Sequence, residues 1–158
     1  MSELKELAAE AKHELLTHII PFWRGMRDDK FGGYYGYLSY DLALDEKAEK
    51  GCILNSRITW FFANAYLLYK DGGISEEECE AAGFKGEDLL AEVKHGYEFL
   101  REHCIDKEYG GIFWSLNYDG TPLDTTKHTY NQAFCIYALS SYYDAAGDKE
   151  ALELAFSL

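Results

Sequence analysis

Apolar and polar positions follow two distinct helical patterns along this chain. Three segments carry an apolar stripe on one side and charged residues on the other: 2–23, 87–104 and a shorter one beginning at Asp148. Two further segments, 50–69 and 129–143, are apolar almost all the way round. A one-sided stripe is typical of a surface helix, and a helix without a polar face belongs inside a larger protein. The pattern therefore predicts outer and inner helices in alternation.

Glycine-containing, aromatic segments separate these helices. Residues 28–45 predict an irregular hairpin or long loop, because a Gly-Gly pair precedes residues of strand-forming type. Residues 106–124 predict a second hairpin, with Asp-Gly at 119–120 as its turn signal. At the start of the chain, Ser2 predicts the N-terminal cap of the first helix, and Pro21 limits its regular part.

The two halves of the chain repeat one another. The matching pairs are 30–35 with 108–113, 38–41 with 116–119, and Asn55 with Asn131. The offset is 78 residues in the first two pairs and 76 in the third. Units of this kind bury their faces only against neighbouring units, and two units leave both ends of the stack open. Residues 1–158 are therefore expected to be the N-terminal part of a larger ring of helical hairpins, or a shortened gene product.

Composition limits the classes of function. The 158 residues are 47% hydrophobic and 16% aromatic, which suits one domain with a real core and also suits cavities that bind sugars or other amphipathic ligands. A formal net charge of −13 argues against nucleic acid and anionic membranes as partners. No apolar run approaches the ~20 residues of a membrane span, and the N-terminal segment lacks the apolar core of a signal peptide. The sequence thus predicts a cytoplasmic protein.

Motifs for metals and common cofactors are missing from the sequence. Phosphate-binding loops, dinucleotide fingerprints, zinc-protease motifs and serine-hydrolase motifs do not occur. The four cysteines are Cys52, Cys79, Cys104 and Cys135. Their spacing is not that of zinc ligands, and we expect ordinary reduced thiols. Neither a metal nor a cofactor is predicted.

Candidate functional residues cluster where the inner helices begin. Arg57 lies in the first inner helix, and it either faces a polar substrate or pairs with a core carboxylate. His128 opens the second inner helix, where it is either functional or a capping residue. Phe113 and Trp114 lie on the second hairpin, beside the starts of the inner helices, and either stack on a sugar or pack on the helices. Because strand side chains alternate, we expect one of the two to face each way.

Six long motifs cover nearly the whole chain. They are HIIPFW (18–23), DDKFGGYYGYL (28–38), KGCILNSRITWFFANAY (50–66), YGGIFWSLNYDG (109–120), KHTYNQAFCIYALSSYY (127–143) and GDKEAL (147–152). These motifs resemble the N-acylglucosamine 2-epimerase superfamily and, within it, the cellobiose 2-epimerase branch. The resemblance implies an all-α fold, the (α/α)6 barrel, in which outer and inner helices alternate and β-hairpin loops join them. This chain is expected to form part of one such domain.

The resemblance also implies an activity. It is cofactor-free inversion at C2 of the reducing-end glucose of β-1,4-disaccharides such as cellobiose, through ring opening and a cis-enediol. Arg57 matches the arginine that stabilises the enediolate oxygens, and Phe113 or Trp114 matches an aromatic sugar contact. His128 and Asn131 lie in a matching motif and are further candidates for substrate binding.

The resemblance places the two catalytic histidines of the family on later inner helices, so this chain alone is expected to be inactive. The alternatives are N-acylglucosamine 2-epimerisation, mannose isomerisation, or a non-catalytic carbohydrate-binding module. The expected partner is in every case a β-1,4-linked disaccharide or a related reducing sugar. The sequence does not predict an oligomeric state.

Overall fold

The computed structural model describes residues 3–158 and is mostly helical. The helices are α1 (Glu3–Glu14), α2 (Ile20–Gly25), α3 (Cys52–Lys70), α4 (Glu76–Ala81), α5 (Gly86–Phe99), α6 (Thr129–Ala146) and α7 (Lys149–Ser157), with π-helical turns at Leu15–Ile19 and Leu100–Cys104. Every helix predicted from the hydrophobic pattern is present, which confirms a mostly helical fold. The cap predicted at Ser2 lies outside the described residues.

Three short strands join the two halves of the chain. They are β1 (Lys50–Gly51), β2 (Ser115–Leu116) and β3 (Pro122–Asp124), antiparallel and in the order β1-β2-β3. The β2–β3 hairpin turns at 117–121, where the Asn117 N–H donates to the Thr121 carbonyl at 2.8 Å. This confirms the hairpin predicted from the Asp-Gly signal. The sheet ties the residues directly before α3 to the second hairpin.

The regular part of the first helix ends at Glu14, earlier than the limit expected at Pro21, and helical structure continues past the proline. The chain passes through the π turn at Leu15–Ile19 and continues as α2 to Gly25. Across this turn the Ile20 N–H donates to the Leu15 carbonyl. Pro21 lies in the first turn of α2, directly after the π turn, and has no N–H to donate to the preceding turn. The change in helical register therefore accommodates the proline.

The helices form two layers, but the inner layer is covered on one side only. Helix α3 packs against α5 and α6, and α6 packs against α7. Segment 50–69, apolar almost all the way round, is buried on one face only within residues 3–158: Ile58 and Phe62 are buried, whereas Arg57 and Asn64 are exposed. Within residues 3–158 nothing packs over that second face of α3, which leaves it available to line a cleft.

A buried ion pair closes the loop before α3. The Lys50 ammonium donates to the Asp28 Oδ2 at 2.6 Å and to the Gly32 carbonyl at 2.7 Å, and both charged side chains are only 1% exposed. The other carboxylate oxygen, Oδ1, accepts the backbone N–H groups of Lys30 and Phe31. A buried charge pair is tolerated when its remaining hydrogen-bonding capacity is satisfied in this way. The pair fixes β1 and the first turn of α3.

The second unit repeats this arrangement. The Lys127 ammonium donates to the Asp106 Oδ2 at 2.6 Å and to the Gly110 carbonyl at 3.0 Å. This pair is less buried, with the lysine side chain 28% exposed and the aspartate 12%. The matching geometry of the two lysine–aspartate pairs confirms that the second half of the chain repeats the first.

The repeat aligns Asn55 with Gln132 rather than with Asn131. A Cβ built on Gly33 would lie 2.6 Å from the Asn55 Oδ1, and one on Gly111 would lie 3.2 Å from the Gln132 Oε1. The inner helices α3 and α6 begin 77 residues apart, which is the spacing of this amide pair. The offset of 76 inferred from the sequence is thus one residue short, because two adjacent amide residues offer the same chemistry.

Acid is expected to weaken the contribution of the Lys50 pair to stability. Burial raises the pKa of Asp28, but the hydrogen bonds from Lys50, Phe31 and Lys30 outweigh it and hold this pKa below its ordinary value of 3.8. A carboxyl whose folded-state pKa is lowered stabilises the fold above its unfolded pKa and loses that contribution as pH falls through the folded value. Asp28→Asn should therefore lower the melting temperature at pH 7 and progressively less below pH 3.8.

Circular dichroism melting curves of both proteins between pH 7 and pH 2.5 measure this difference. Asp144→Asn, at an exposed position of α6, is the matched control and should show no such convergence. A melting-temperature gap for Asp28→Asn that stays constant down to the lowest pH would contradict the assignment.

Candidate functional site

A cleft of about 850 Å³ opens along the uncovered faces of α3 and α6. Its lining residues are Trp23, Glu49, Gly51, Ile53, Leu54, Arg57, Ile58, Trp60, Phe61, Trp114, Ser115, Phe134 and Tyr137. Six of the lining side chains are aromatic. Another, that of Arg57, carries a positive charge. Largely apolar walls with a few convergent polar groups are typical of small-molecule sites.

Arg57 lies on the cleft side of α3 and is exposed. Its guanidinium carbon lies 5.7 Å from the centre of the Phe134 ring on α6, within cation–π range. The neighbours Asn55 and Ser56 point the other way and are buried; the Asn55 Oδ1 accepts the Tyr34 N–H at 2.9 Å. These contacts fix the rotation of the helix about its axis, so that Arg57 faces the cleft.

Arg57 has no carboxylate partner within residues 3–158. The other three arginines of the chain, Arg24, Arg27 and Arg101, each form an ion pair with an acidic side chain. The core ion pair that the sequence left open for Arg57 is therefore not formed by the described part of the chain. Its positive charge is available to a ligand in the cleft.

The far end of the cleft is closed by stacked aromatic rings. Trp60 on α3 and Tyr137 on α6 stack with ring centres 4.7 Å apart and planes 19° from parallel. Burial raises the pKa of Tyr137, and the positive charge of Arg57 acts against this shift. The hydroxyl of Tyr137 therefore stays protonated at neutral pH and can donate or accept a hydrogen bond.

Phe113 and Trp114 face opposite ways, as strand alternation predicts. The Trp114 side chain lines the cleft and is 38% exposed, whereas the Phe113 ring packs on the core beneath the Lys127 ammonium at 4.7 Å. Trp114 is also held through its backbone: its N–H donates to the Asp124 carbonyl at 3.0 Å, and its carbonyl accepts the Cys52 N–H at 3.1 Å. The second bond joins the wall that carries Trp114 to the first turn of α3.

His128 occupies the N-cap position of α6, but its side chain makes no capping hydrogen bond. Its ring lies 4.8 Å from the Trp114 ring at an angle of 58°. His128 is exposed and stands behind Trp114 rather than among the residues that line the cleft. It can therefore reach a ligand only at the edge of the tryptophan.

Asn131 is fully buried in the first turn of α6. Its Nδ2 donates to the Phe113 carbonyl, while its Oδ1 has no partner among the described residues. The side chain does not line the cleft. Its contact with the Phe113 carbonyl positions the backbone directly before Trp114 and β2.

Acid–base groups are scarce at the cleft. In the described part of the chain its lining includes one carboxylate, that of Glu49, and no histidine. His95 and His103 contact loop carbonyls: His95 Nε2 lies 2.7 Å from the Gly33 oxygen, and His103 Nδ1 lies 3.2 Å from that of Gly120. Both histidines therefore lie outside the cleft and hold the turns of the two hairpin loops.

Residues 3–158 contain neither a cluster of metal-ligating side chains nor a membrane-spanning helix. No group of three or more His, Cys, Asp or Glu side chains there is arranged to hold a metal ion. The cysteines are free and buried, as expected for reduced thiols, and burial raises the pKa of Cys79 to about 11. A buried thiol with a raised pKa is a poor nucleophile. No helix in the same range combines the length and apolar character needed to cross a bilayer.

Sequence reasoning missed several residues that build this cleft. Trp60 and Tyr137 lie in the two segments that are apolar almost all the way round, and their separation of 77 residues matches the spacing of the inner helices. Arg57 and Phe134 have the same separation, so phenylalanine stands in the second unit where arginine stands in the first. Aligning the inner helices at this spacing would have predicted that these side chains meet. Glu49 carries no signal in the sequence that marks it as a lining residue.

The chain is similar to known proteins in both sequence and fold. The profile of the family described as N-acylglucosamine 2-epimerase (GlcNAc 2-epimerase) matches residues 33–157. A cellobiose 2-epimerase of Ruminococcus albus is 54% identical over 152 residues, which cover 96% of this chain and 35% of that protein. The crystal structure of a sugar epimerase from a ruminal bacterium gives a TM-score of 0.84 at 54% identity. Cellobiose 2-epimerase from Bacillus thermoamylovorans B4167 gives 0.85 at 39%.

These matches place the chain among mostly helical proteins related to sugar epimerases. It belongs to the N-acylglucosamine 2-epimerase family, as the six sequence motifs predicted. Both structural alignments cover 96% of this chain and 35% of the solved chain. The chain thus spans about 35% of the length of the relatives that it matches.

Proposed function

We propose that this chain is part of an enzyme that inverts C2 of the reducing-end glucose of β-1,4-disaccharides such as cellobiose, without a cofactor. The observation that carries the proposal is the Arg57 guanidinium, which lies in an aromatic cleft without a carboxylate partner in residues 3–158. A sugar offers oxygen atoms to such a cation and flat C–H faces to aromatic walls. The family and the cellobiose 2-epimerase relatives support this substrate class.

The chemistry requires that negative charge develop on the substrate. After ring opening, removal of the C2 proton beside the aldehyde gives a planar cis-enediolate, and a proton returned to the opposite face completes the inversion. Arg57 is proposed to stabilise the enediolate oxygens, because a fixed cation in a partly desolvated site favours developing charge. Trp114 is proposed to stack on the sugar ring, with His128 at its outer edge.

The complete domain is proposed to be an (α/α)6 barrel in which this chain supplies one wall of the cleft. The alternation of one-sided and apolar helices and the repeated lysine–aspartate pairs support this architecture. Two of the six hairpin units are recognisable as repeats here. Further units would cover the open faces of α3 and α6.

The chain by itself is proposed to bind sugar without turning it over. Inversion at one carbon needs a general acid or base on each face of the enediolate. Among the described residues, Glu49 is the single carboxylate lining the cleft, and it can serve one face at most. This scarcity also favours the second candidate function, a carbohydrate-binding module without chemistry.

Arg57→Met is expected to weaken cellobiose binding by about 10- to 100-fold, the loss typical of charge-assisted hydrogen bonds. Isothermal titration calorimetry with the 158-residue chain measures this loss. Arg101→Met is the matched control, because Arg101 also lies over an aromatic ring, that of Tyr97 at 5.4 Å, but outside the cleft. Equal losses in both variants, or none in Arg57→Met, would contradict the role assigned to Arg57.

Two further measurements separate the candidate functions. Incubation of the chain with cellobiose, followed by chromatography of the disaccharides, tests turnover; any mannose-containing product above background overturns the proposed inactivity. Methyl β-cellobioside cannot open its reducing-end ring, so a site built for the open-chain sugar should bind it more weakly than cellobiose. Equal affinity for both sugars would favour the binding module.

A further inference from the structure

Lys127 stands at the point where the second hairpin loop meets α6. Its ammonium donates to the Asp106 carboxylate at 2.6 Å and to the Gly110 carbonyl at 3.0 Å, and it lies 4.7 Å above the Phe113 ring. The chain between Asp106 and Phe113 is thus held at its start, its middle and its end by one side chain. Trp114 is the next residue, and its ring forms part of the cleft wall.

The Asp106 carboxylate transmits this contact to the loop backbone. Its Oδ1 accepts the N–H groups of Glu108 and Tyr109 at 3.0 and 3.1 Å, while its Oδ2 accepts from Lys127. The hydrogen bond from Lys127 is the largest of the effects that hold the pKa of Asp106 below its ordinary value. The carboxylate is therefore ionised and engaged on both oxygens at neutral pH.

The backbone of Phe113 is fixed from two sides. Its N–H donates to the Cys104 carbonyl at 2.9 Å, and its carbonyl accepts from the buried Asn131. With the Phe113 ring covered by Lys127 on one side of the backbone that leads into β2, alternation directs the following side chain to the other side. That side is the cleft, so the orientation of Trp114 follows from the placement of Phe113.

The first unit contains the same lysine–aspartate arrangement, but it has no side chain at the position that corresponds to Trp114. Lys50 binds Asp28 and the Gly32 carbonyl and lies 6.0 Å from the Tyr35 ring, the counterpart of Phe113. The residue that corresponds to Trp114 is Gly36, where any Cβ would lie 1.7 Å from a backbone oxygen. Both units thus share the contacts of a lysine with an aspartate and a glycine carbonyl. Only in the second unit does an aromatic side chain, that of Trp114, follow the ring beneath the lysine.

We propose that Lys127 is a positioning residue that sets the orientation of Trp114, and through it the sugar affinity of the cleft, by holding Asp106, Gly110 and Phe113 together. The assignment of a sugar to the cleft rests on the function proposed above. The orientation of Trp114 does not, and it is measured separately.

The experiment uses the 158-residue chain labelled with 5-fluorotryptophan, which gives one ¹⁹F signal for each of its three tryptophans. Trp114→Phe identifies the signal of Trp114. Lys127→Met should shift or broaden that signal while those of Trp23 and Trp60 stay in place, and should weaken cellobiose binding by about fivefold to tenfold, as for one displaced aromatic contact. Lys127→Arg keeps the charge, so both the Trp114 signal and the affinity for cellobiose should stay as in the unmodified chain.

A second variant tests the same contact from its other side. Asp106→Asn keeps an oxygen for the two backbone N–H groups but loses the ion pair, and it should move the Trp114 signal in the same direction as Lys127→Met. An unchanged Trp114 signal in folded variants, or equal disturbance of all three signals, overturns the proposal. Absence of cellobiose binding by the unmodified chain overturns the proposed function instead, while the Trp114 signal still decides the role of Lys127.

Discussion

Replacing Lys50 with methionine is expected to lower the free energy of unfolding by about 3–5 kcal/mol, the loss typical of breaking a buried ion pair. Both members of the pair are 1% exposed, and the lysine is the only cation that binds the Asp28 carboxylate within residues 3–158. Methionine keeps the apolar length of the side chain, so lost packing contributes little. Urea denaturation followed by circular dichroism measures the change.

A double variant distinguishes the stability lost with the ion pair from the stability lost by leaving the Asp28 carboxylate buried and unpaired. In Lys50→Met with Asp28→Asn, the asparagine oxygen can still accept the N–H groups of Lys30 and Phe31, but no negative charge is left buried. We expect the double variant to be more stable than Lys50→Met alone. Equal or lower stability would show that the unpaired carboxylate is not the cause. Lys127→Met, at the more exposed second pair, should cost less than Lys50→Met.

Replacing Gly33 with alanine is expected to cost about 2–5 kcal/mol, as the sum of left-handed backbone strain and overpacking. Gly33 has a φ of +66°, which disfavours any side chain. The added Cβ would also lie 2.6 Å from the Asn55 Oδ1 and 2.6 Å from the Phe99 ring. Relief of these contacts would displace the Asn55 amide that holds the first loop on α3.

Gly110→Ala is the matched control for this change. Gly110 has a similar φ of +74°, but nothing lies within 4 Å of its added Cβ, so backbone strain alone should cost about 1–2 kcal/mol. The difference between the two variants, measured by urea denaturation, is the overpacking contribution at Gly33. Equal losses would mean that the loop yields at Gly33 and that the close approach to Asn55 is not required.

The two predicted losses of stability arise from contacts in the loops. The same contacts also position residues of the cleft. The Lys50 pair holds β1, and β1 pairs with the strand that follows Trp114. The Asn55 amide sets the rotation of α3, and with it the direction of Arg57. Loosening either loop should therefore weaken ligand binding as well as stability.

Much of the fold follows from local sequence. The positions of α3, α5 and α6 come from hydrophobic periodicity, and the hairpin turn comes from Asp-Gly, because both signals act over a few residues. Family membership also follows from sequence, through long motifs. Arg57 was recognisable as a candidate because a charge in so apolar a segment needs a reason.

Tertiary structure alone decided how these elements meet. It selected Trp114 over Phe113 for the cleft, left one face of α3 open, and brought Lys50 and Lys127 to acids about twenty residues away. Side-chain periodicity tells which residues share a face, but not which partner covers that face or which distant acid neutralises a buried charge. Those choices depend on contacts between segments far apart in the chain, and only their joint packing determines them.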